Sequence, residues 1–254
     1  MIYDLQKASL LKRFSAYLID MILMIILITG FAWAISEFIG FANYTTELEA
    51  IIDTYEQEFG LKFDISNEEY EKMTDAEKEY FNNSYNQVIK DERYSYLTTM
   101  VFYSLITIVS ISLFLSHLVL EFIVPICFKN GQTVGKKIFS IAVMRVDGIR
   151  VSPVVMFMRA ILGKYTVETM IPTIIVIMMI FGVGSLVTLA VLVLIFLFQI
   201  ILVIATKTNS FIHDVLSSTV VVDLQSQMIF DSLEAKNEYR LRLHSEDAKN
   251  AKYF

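Results

Sequence analysis

Residues 170–206 read MIPTIIVIMMIFGVGSLVTLAVLVLIFLFQIILVIAT and include no charged side chain. A single α-helix of that length would extend roughly 55 Å, nearly twice the hydrocarbon core of a bilayer, which is about 30 Å thick. Two shorter helices that meet near Gly182 and Gly184 fit the bilayer better. We therefore predict membrane spans over residues 169–184 and 185–206.

Two further apolar blocks precede this run, over residues 14–38 and 97–128. Each is long enough to cross a bilayer. A cleaved signal peptide is the alternative for the first block, but its apolar region is too long for one. With 55% hydrophobic residues and a mean hydropathy of +0.55, the chain is predicted to be an all-α, polytopic membrane protein with four transmembrane helices.

Between the second and third spans, residues 151–168 mix Arg159, Lys164 and Glu168 with apolar side chains. This mixed pattern suits a helix that lies in the membrane interface. The predicted organisation is a membrane domain over residues 1–222, followed by a tail over residues 223–254.

The connection between the first two spans, residues 40–95, is strongly acidic. It contains 14 Asp and Glu against 5 Lys and Arg, so it must lie in water. Capping-box patterns recur in it, and we expect two or three short helices that fold as a cap over the membrane. The three patterns are Thr46 to Glu49, Ser66 to Glu69 and Thr74 to Glu77.

The charges on the connections predict the orientation of the spans. Residues 129–150 carry five basic side chains and one acidic side chain, so the positive-inside rule places this connection in the cytoplasm. The acidic insertion 40–95 is then extracellular. We expect a multi-pass protein of the cell membrane with both termini in the cytoplasm.

Several functional classes are excluded by the composition. The net charge of −6 argues against nucleic acid as a partner. A lone cysteine, Cys127, cannot form an intrachain disulfide or build a paired-thiol metal site. The stretch Gly131–Lys137 resembles a phosphate-binding loop but is one residue short and lacks the required Ser or Thr. No catalytic constellation is visible, so we predict no enzymatic activity, no cofactor and no metal.

Ionisable residues inside the predicted spans are costly, at about 2.5–3.5 kcal/mol each on insertion scales, and therefore need a partner, water or a function. Asp20 lies two helical turns after Arg13 on the same face. His117 and Glu121 are four residues apart and can form one hydrogen-bonded pair. Such a pair suits either a proton relay or a satisfied structural contact.

Three segments carry a family resemblance. The first is RFSAYLID at residues 13–20, the second combines GQTVGKKI at 131–138 with VMRVDG at 143–148, and the third is FIHDVLSSTVV at 211–221. Their content and order resemble the RDD family of bacterial membrane proteins, which is named for one arginine and two aspartates.

This resemblance implies a set of functional residues. Arg13, Asp20 and Asp214 become the candidates for transport or ion coupling, and Asp214 is expected to meet Arg13 at the cytoplasmic surface. Arg159 and His213 fall at further positions of the motifs. The activity implied by the family is transport of unidentified ligands, with some members described as sodium/proton antiporters. Asp20 would then exchange a proton for a monovalent cation.

Two functions follow from these expectations, and the sequence leaves both open. The first is a small secondary transporter, which we expect to be a homo-oligomer because four short spans leave little room to enclose a polar pathway. The second is a non-transporting scaffold or accessory subunit that binds a partner membrane protein through the acidic insertion 40–95. In both cases the lipid bilayer surrounds the spans.

Overall fold

The computed structural model describes residues 5–182 and 184–250. The helices are α1 (Leu10–Ile39), α2 (Phe41–Phe59), α3 (Asn67–Lys72), α4 (Asp75–Lys90), α5 (Glu92–Cys127), α6 (Val134–Ile138), α7 (Pro153–Ile180), α8 (Leu186–Ala205), α9 (Ile212–Leu216) and α10 (Leu233–Asn250), and the strands are β1 (Ile141–Arg145) and β2 (Thr219–Asp223).

Four of the described helices, α1, α5, α7 and α8, are long and apolar enough to cross a membrane. Helix α8 is the most apolar of them, and none of the residues in its most hydrophobic window is buried within the chain. The prediction of an all-α, polytopic membrane protein is confirmed by these helices.

Helix α7 joins two segments that the sequence analysis separated. The interfacial helix predicted over residues 151–168 runs into the third span without a break and ends at Ile180. The reason lies in the charged side chains of this segment. Arg159 and Lys164 form ion pairs with other parts of the chain, and Glu168 is hydrogen-bonded to His213, so these side chains do not need to face the lipid headgroups.

Two stretches of these spans are π-helical, with hydrogen bonds from each N–H to the carbonyl five residues earlier. They cover Leu118–Ile123 within α5 and Met158–Met170 within α7. π-helical turns are rare and occur frequently at functional sites. A π-helix places different side chains on one face than an α-helix does, and both stretches contain ionisable residues of the candidate site.

A two-stranded antiparallel sheet accompanies the helices and was absent from the predicted fold. Strand β1 pairs with β2 from Ile141 opposite Asp223 to Arg145 opposite Thr219. The first four residues of each strand are buried, so both faces of the sheet are covered. One face packs against Ala16 of α1, so the sheet lies against the first span.

The chain divides into two compact units, one of residues 1–29 with 113–254 and the other of Gly30–Ser112. The second unit contains the acidic insertion, which is helical as predicted. Its aromatic side chains pack together, with the ring of Phe63 centred 5.9 Å from that of Phe81 and 5.8 Å from that of Tyr85.

Two of the three predicted capping boxes are formed, at Ser66 with Glu69 and at Thr74 with Glu77. The third prediction, at Thr46, is wrong because Thr46 lies inside α2. That helix begins directly after Gly40, whose backbone is in the left-handed region with φ of 74°. Glycine adopts this conformation without steric cost, so the chain turns into the helix earlier than the polar pattern suggests.

Candidate functional site

Ionisable side chains from distant parts of the chain meet inside the first unit. None of these side chains is more than 19% exposed. Four are carboxylates and four are cations, so their formal charges balance, with one histidine added. We call them the buried charge network: Arg13, Asp20, Glu121, Lys136, Arg159, Lys164, Glu168, His213 and Asp214.

Asp214 is the most buried member, with a side chain 1% exposed. Its Oδ1 accepts hydrogen bonds from Arg159 Nη2 at 2.7 Å and Nε at 3.2 Å, and its Oδ2 accepts from Arg13 Nη2 at 3.3 Å. Burial by itself would raise the pKa of Asp214, but Arg159, His213 and Arg13 together outweigh it and hold that pKa well below its usual range. Asp214 is therefore ionised at neutral pH.

Arg13 joins the start of α1 to the segment that follows α8. Besides contacting Asp214, its Nη1 donates to the backbone carbonyl of Asn209 at 2.6 Å, and its guanidinium lies 5.1 Å from the centre of the Phe211 ring. The expected meeting of Arg13 and Asp214 is present. Although Arg13 and Asp20 were predicted to lie on the same face of α1, they form no ion pair within the described residues.

Asp20 instead binds neutral donors at the start of α6. Its carboxylate accepts a hydrogen bond from the hydroxyl of Thr133 and another from the backbone N–H of Gly135, the latter at 2.8 Å. No cation among the described residues lies within 4.0 Å of the Asp20 carboxylate. Asp20 is therefore bound differently from Asp214, although both are buried.

Gly135 makes this contact with Asp20 possible. A Cβ atom at this position would lie 2.2 Å from the backbone oxygen of Ala16, which is far inside van der Waals contact. Only glycine lets α6 approach α1 closely enough for its N–H to reach the carboxylate. The glycine motif at 131–138 thus packs one helix against another, in agreement with its departures from a phosphate-binding loop.

A second carboxylate, Glu121, is held by two lysines. Lys164 Nζ lies 2.5 Å from its Oε1, and Lys136 Nζ lies 3.9 Å from its Oε2. Lys136 also donates to the hydroxyl of Thr133 at 3.2 Å, which connects Glu121 to Asp20 through a lysine and a hydroxyl group. Burial lowers the pKa of Lys136 to about 8, although Glu121 raises it in part.

The predicted hydrogen bond between His117 and Glu121 is not formed. His117 Nδ1 instead lies 2.9 Å from the carbonyl of Leu113, and its Nε2 lies 3.3 Å from the hydroxyl of Thr169. The physical reason is charge, because Glu121 lies beside the ammonium groups of Lys164 and Lys136, which compensate its buried carboxylate.

His213 and Glu168 complete the network. His213 Nδ1 lies 2.8 Å from Glu168 Oε2, and the backbone N–H of His213 donates to Glu168 Oε1 at 3.0 Å. Burial lowers the pKa of His213 and outweighs the carboxylates of Asp214 and Glu168, which raise it. At Gly163, an added Cβ would lie 2.5 Å from His213 Cβ, so a glycine again allows the close packing, here of α7 against α9.

A family model described as the RDD family matches residues 7–218, which include every member of the buried charge network. The chain belongs to the RDD family. Neither the comparison with curated proteins nor the comparison with solved structures finds a match. The resemblance carried by the three sequence segments is thereby confirmed.

In this RDD protein the π-helical part of α7 carries three members of the network. An α-helix turns roughly 100° per residue, so Arg159 and Glu168 would point to opposite faces. A π-helix turns about 82° per residue, which brings these two side chains within roughly 20° of each other. From this part of α7, Arg159 contacts Asp214, Lys164 contacts Glu121 and Glu168 contacts His213.

The residues that sequence reasoning missed in this RDD protein are Thr133, Lys136, Lys164 and Glu168. The two lysines were counted only as cytoplasmic and interfacial charges. Lys164 and Glu168 could have been identified from the sequence, because they are charged residues within an apolar segment that continues into a span. Thr133 could not, since a hydroxyl group is unremarkable until its neighbour Asp20 is known.

Proposed function

We propose that this protein is a secondary transporter that exchanges a monovalent cation for a proton at Asp20. The observation that carries the proposal is the binding of this buried carboxylate by two neutral donors, the Thr133 hydroxyl and the Gly135 N–H. Lys136 is one hydroxyl group away, but no cation among the described residues contacts the carboxylate directly, so it can still bind a proton or a small cation.

The proposal gives Asp20 and Asp214 different roles. Asp214 is held by Arg159 and Arg13 at 2.7 and 3.3 Å, so its charge is already compensated. We propose that Asp214, Arg159 and Arg13 have a structural role, in which their contacts hold α1, α7 and α9 together. Asp20 is the residue that changes its bound ion. Of the three candidates that the family resemblance suggested, Arg13, Asp20 and Asp214, only Asp20 then takes part in ion coupling.

The orientation and assembly belong to the same proposal. Both termini lie in the cytoplasm of a multi-pass cell-membrane protein, and Asp20 is reached from that side. Helix α8 is strongly apolar apart from side chains such as Gln199, and its most hydrophobic stretch has no residue buried within the chain. This supports an assembly in which copies of the chain together enclose the polar pathway.

The second function, a non-transporting scaffold or accessory subunit, is favoured by a different observation. The acidic insertion has its own aromatic packing and its own capped helices, so it is built as a folded surface and not as a loose connection. In that case the balanced charges of the buried network serve only to hold the spans together.

Proton movement in proteoliposomes tests the proposal. The purified protein is reconstituted with a pH-sensitive dye inside, and sodium, potassium or lithium gradients are imposed. Wild type is expected to move protons against at least one cation, and Asp20→Asn is expected to abolish this flux. Asn can keep both hydrogen bonds if the Thr133 hydroxyl rotates to accept, so the variant should still fold.

Glu37→Gln is the matched control, because Glu37 is an exposed carboxylate on the same helix. It should retain wild-type flux. Equal flux in wild type and Asp20→Asn would refute the assignment of Asp20. A folded wild type that moves no proton under any gradient would refute transport and favour the scaffold.

A further inference from the structure

A cavity of about 190 Å³ lies where the second span ends and the third begins. It is independent of the buried charge network and shares no residue with it. Its wall combines two cationic side chains, Lys129 and Arg150, with apolar ones from the adjoining helix ends. The apolar members include Pro125, Ile126, Pro153 and Met156.

Arg150 contributes to the wall of this cavity. Its Nη1 lies 2.7 Å from Asp231 Oδ1, and its side chain is 39% exposed. Its Nε is closed off from solvent. A ligand in the cavity would therefore meet the outer nitrogens of the guanidinium group and not Nε.

Lys129 supplies the second cationic side chain of the wall. Its backbone is in the left-handed region with φ of 65°, and its N–H donates to the carbonyl of Ile126 at 3.1 Å. This turn reverses the chain at the end of α5. Lys137, the neighbouring cation, is not part of the wall, and its Nζ lies 3.9 Å from the centre of the Phe128 ring.

Apolar side chains continue outward from the cavity along both helices. Ile126 is 37% exposed, and Val154 and Phe157, next in the chain to lining residues, are 69% and 42% exposed. A ligand here would therefore meet cations at one end and an exposed apolar surface at the other. A free anion uses only the first of these features, whereas a phospholipid uses both.

We propose that this cavity binds the headgroup phosphate of an anionic phospholipid. The phosphate oxygens accept from the outer nitrogens of the Arg150 guanidinium group and from the ammonium group of Lys129, since arginine and lysine are the usual partners of phosphate in proteins. The acyl chains lie along Ile126, Val154 and Phe157. The bound lipid thereby holds the end of α5 against the start of α7.

Thermal unfolding of the full chain in detergent tests this site. The Tm is measured while phosphatidylglycerol, phosphatidylcholine or inorganic phosphate is added. We expect phosphatidylglycerol to raise the Tm to a plateau, with little effect of the other two. In Lys129→Gln, and in Lys129→Gln combined with Arg150→Lys, half-saturation should need at least about tenfold more phosphatidylglycerol.

Two matched variants guard the interpretation. Lys137→Gln removes a nearby cation outside the cavity, and Asp231→Asn removes the ion-pair partner of Arg150; both should respond to phosphatidylglycerol as wild type does. Equal stabilisation by phosphatidylcholine, or an equal loss in Lys137→Gln, would overturn a headgroup site. Saturation by inorganic phosphate alone to the same Tm would overturn the lipid assignment in favour of a free anion.

Discussion

Gly135→Ala should destabilise this protein, because a methyl group added at this position of α6 meets the backbone of α1. The new Cβ would lie 2.2 Å from the Ala16 carbonyl oxygen, and ordinary contact begins at 3.4 Å, so α6 must retreat by about 1.2 Å. The hydrogen bond from Gly135 N–H to Asp20, now 2.8 Å, would then be lost.

The magnitude follows from these two effects. Overpacking of a tight site costs about 1–3 kcal/mol, and a hydrogen bond to a charged group contributes about 1.5–3 kcal/mol. Their sum is roughly 2.5–6 kcal/mol, which for a chain of this size lowers the Tm by at least about 5 °C. Thermal unfolding in detergent measures this change.

Gly30→Ala is the matched control, because Gly30 lies within α1 and an added Cβ would meet nothing within 4 Å. That substitution should be neutral or stabilising by up to about 1 kcal/mol, since alanine favours a helix over glycine. If Gly135→Ala unfolds at the same temperature as Gly30→Ala, the close approach of α6 to α1 is refuted.

Three further predictions concern charged side chains. Arg159→Met removes the two hydrogen bonds from Arg159 to Asp214 and should lower the free energy of unfolding by about 3–5 kcal/mol. Arg145→Met breaks an exposed ion pair with Asp147 and should lower it by under about 1 kcal/mol. Equal losses of the two variants in unfolding titrations would contradict a buried role for Arg159. The pKa of Asp214 is depressed in the folded protein, so its contribution to stability is complete above its ordinary value of 3.8 and is lost as the pH falls below that value. Asp214→Asn should therefore flatten the fall in Tm between about pH 4 and pH 2, and an unchanged slope would argue against this contribution. The pKa of Lys136 is about 8 in the folded protein, against an ordinary 10.5, so the unfolded chain binds more protons between these two pH values. The stability of wild type relative to Lys136→Gln should therefore rise over that pH range. A fall in this relative stability would show that Lys136 is not buried.

The spans could be predicted from the sequence because length and hydropathy are local properties. An uncharged run of 37 residues is too long for one span and fits a hairpin of two spans. The start of the third span could not be predicted in the same way. Arg159, Lys164 and Glu168 read as interfacial charges until their partners elsewhere in the chain are known.

The strands and the network were hidden for a related reason. Strand β1 is five residues long and pairs with residues 219–223, so no local pattern distinguishes it from a loop. Arg13 and Asp214 were found only through the family motifs. Lys136 was counted as a loop cation because neither its burial nor its contact with Thr133 leaves a trace in the neighbouring sequence.

The pairing of Arg13 with Asp214 also has a consequence for biosynthesis. The two residues are 201 positions apart, and at about 5–20 residues per second a ribosome needs roughly 10–40 s to make the chain between them. During that interval α1 is already synthesised while Arg13 has no acidic partner from α9. The first span must therefore tolerate its unpaired arginine at the membrane surface, and the ionic core closes only after the last span has left the ribosome.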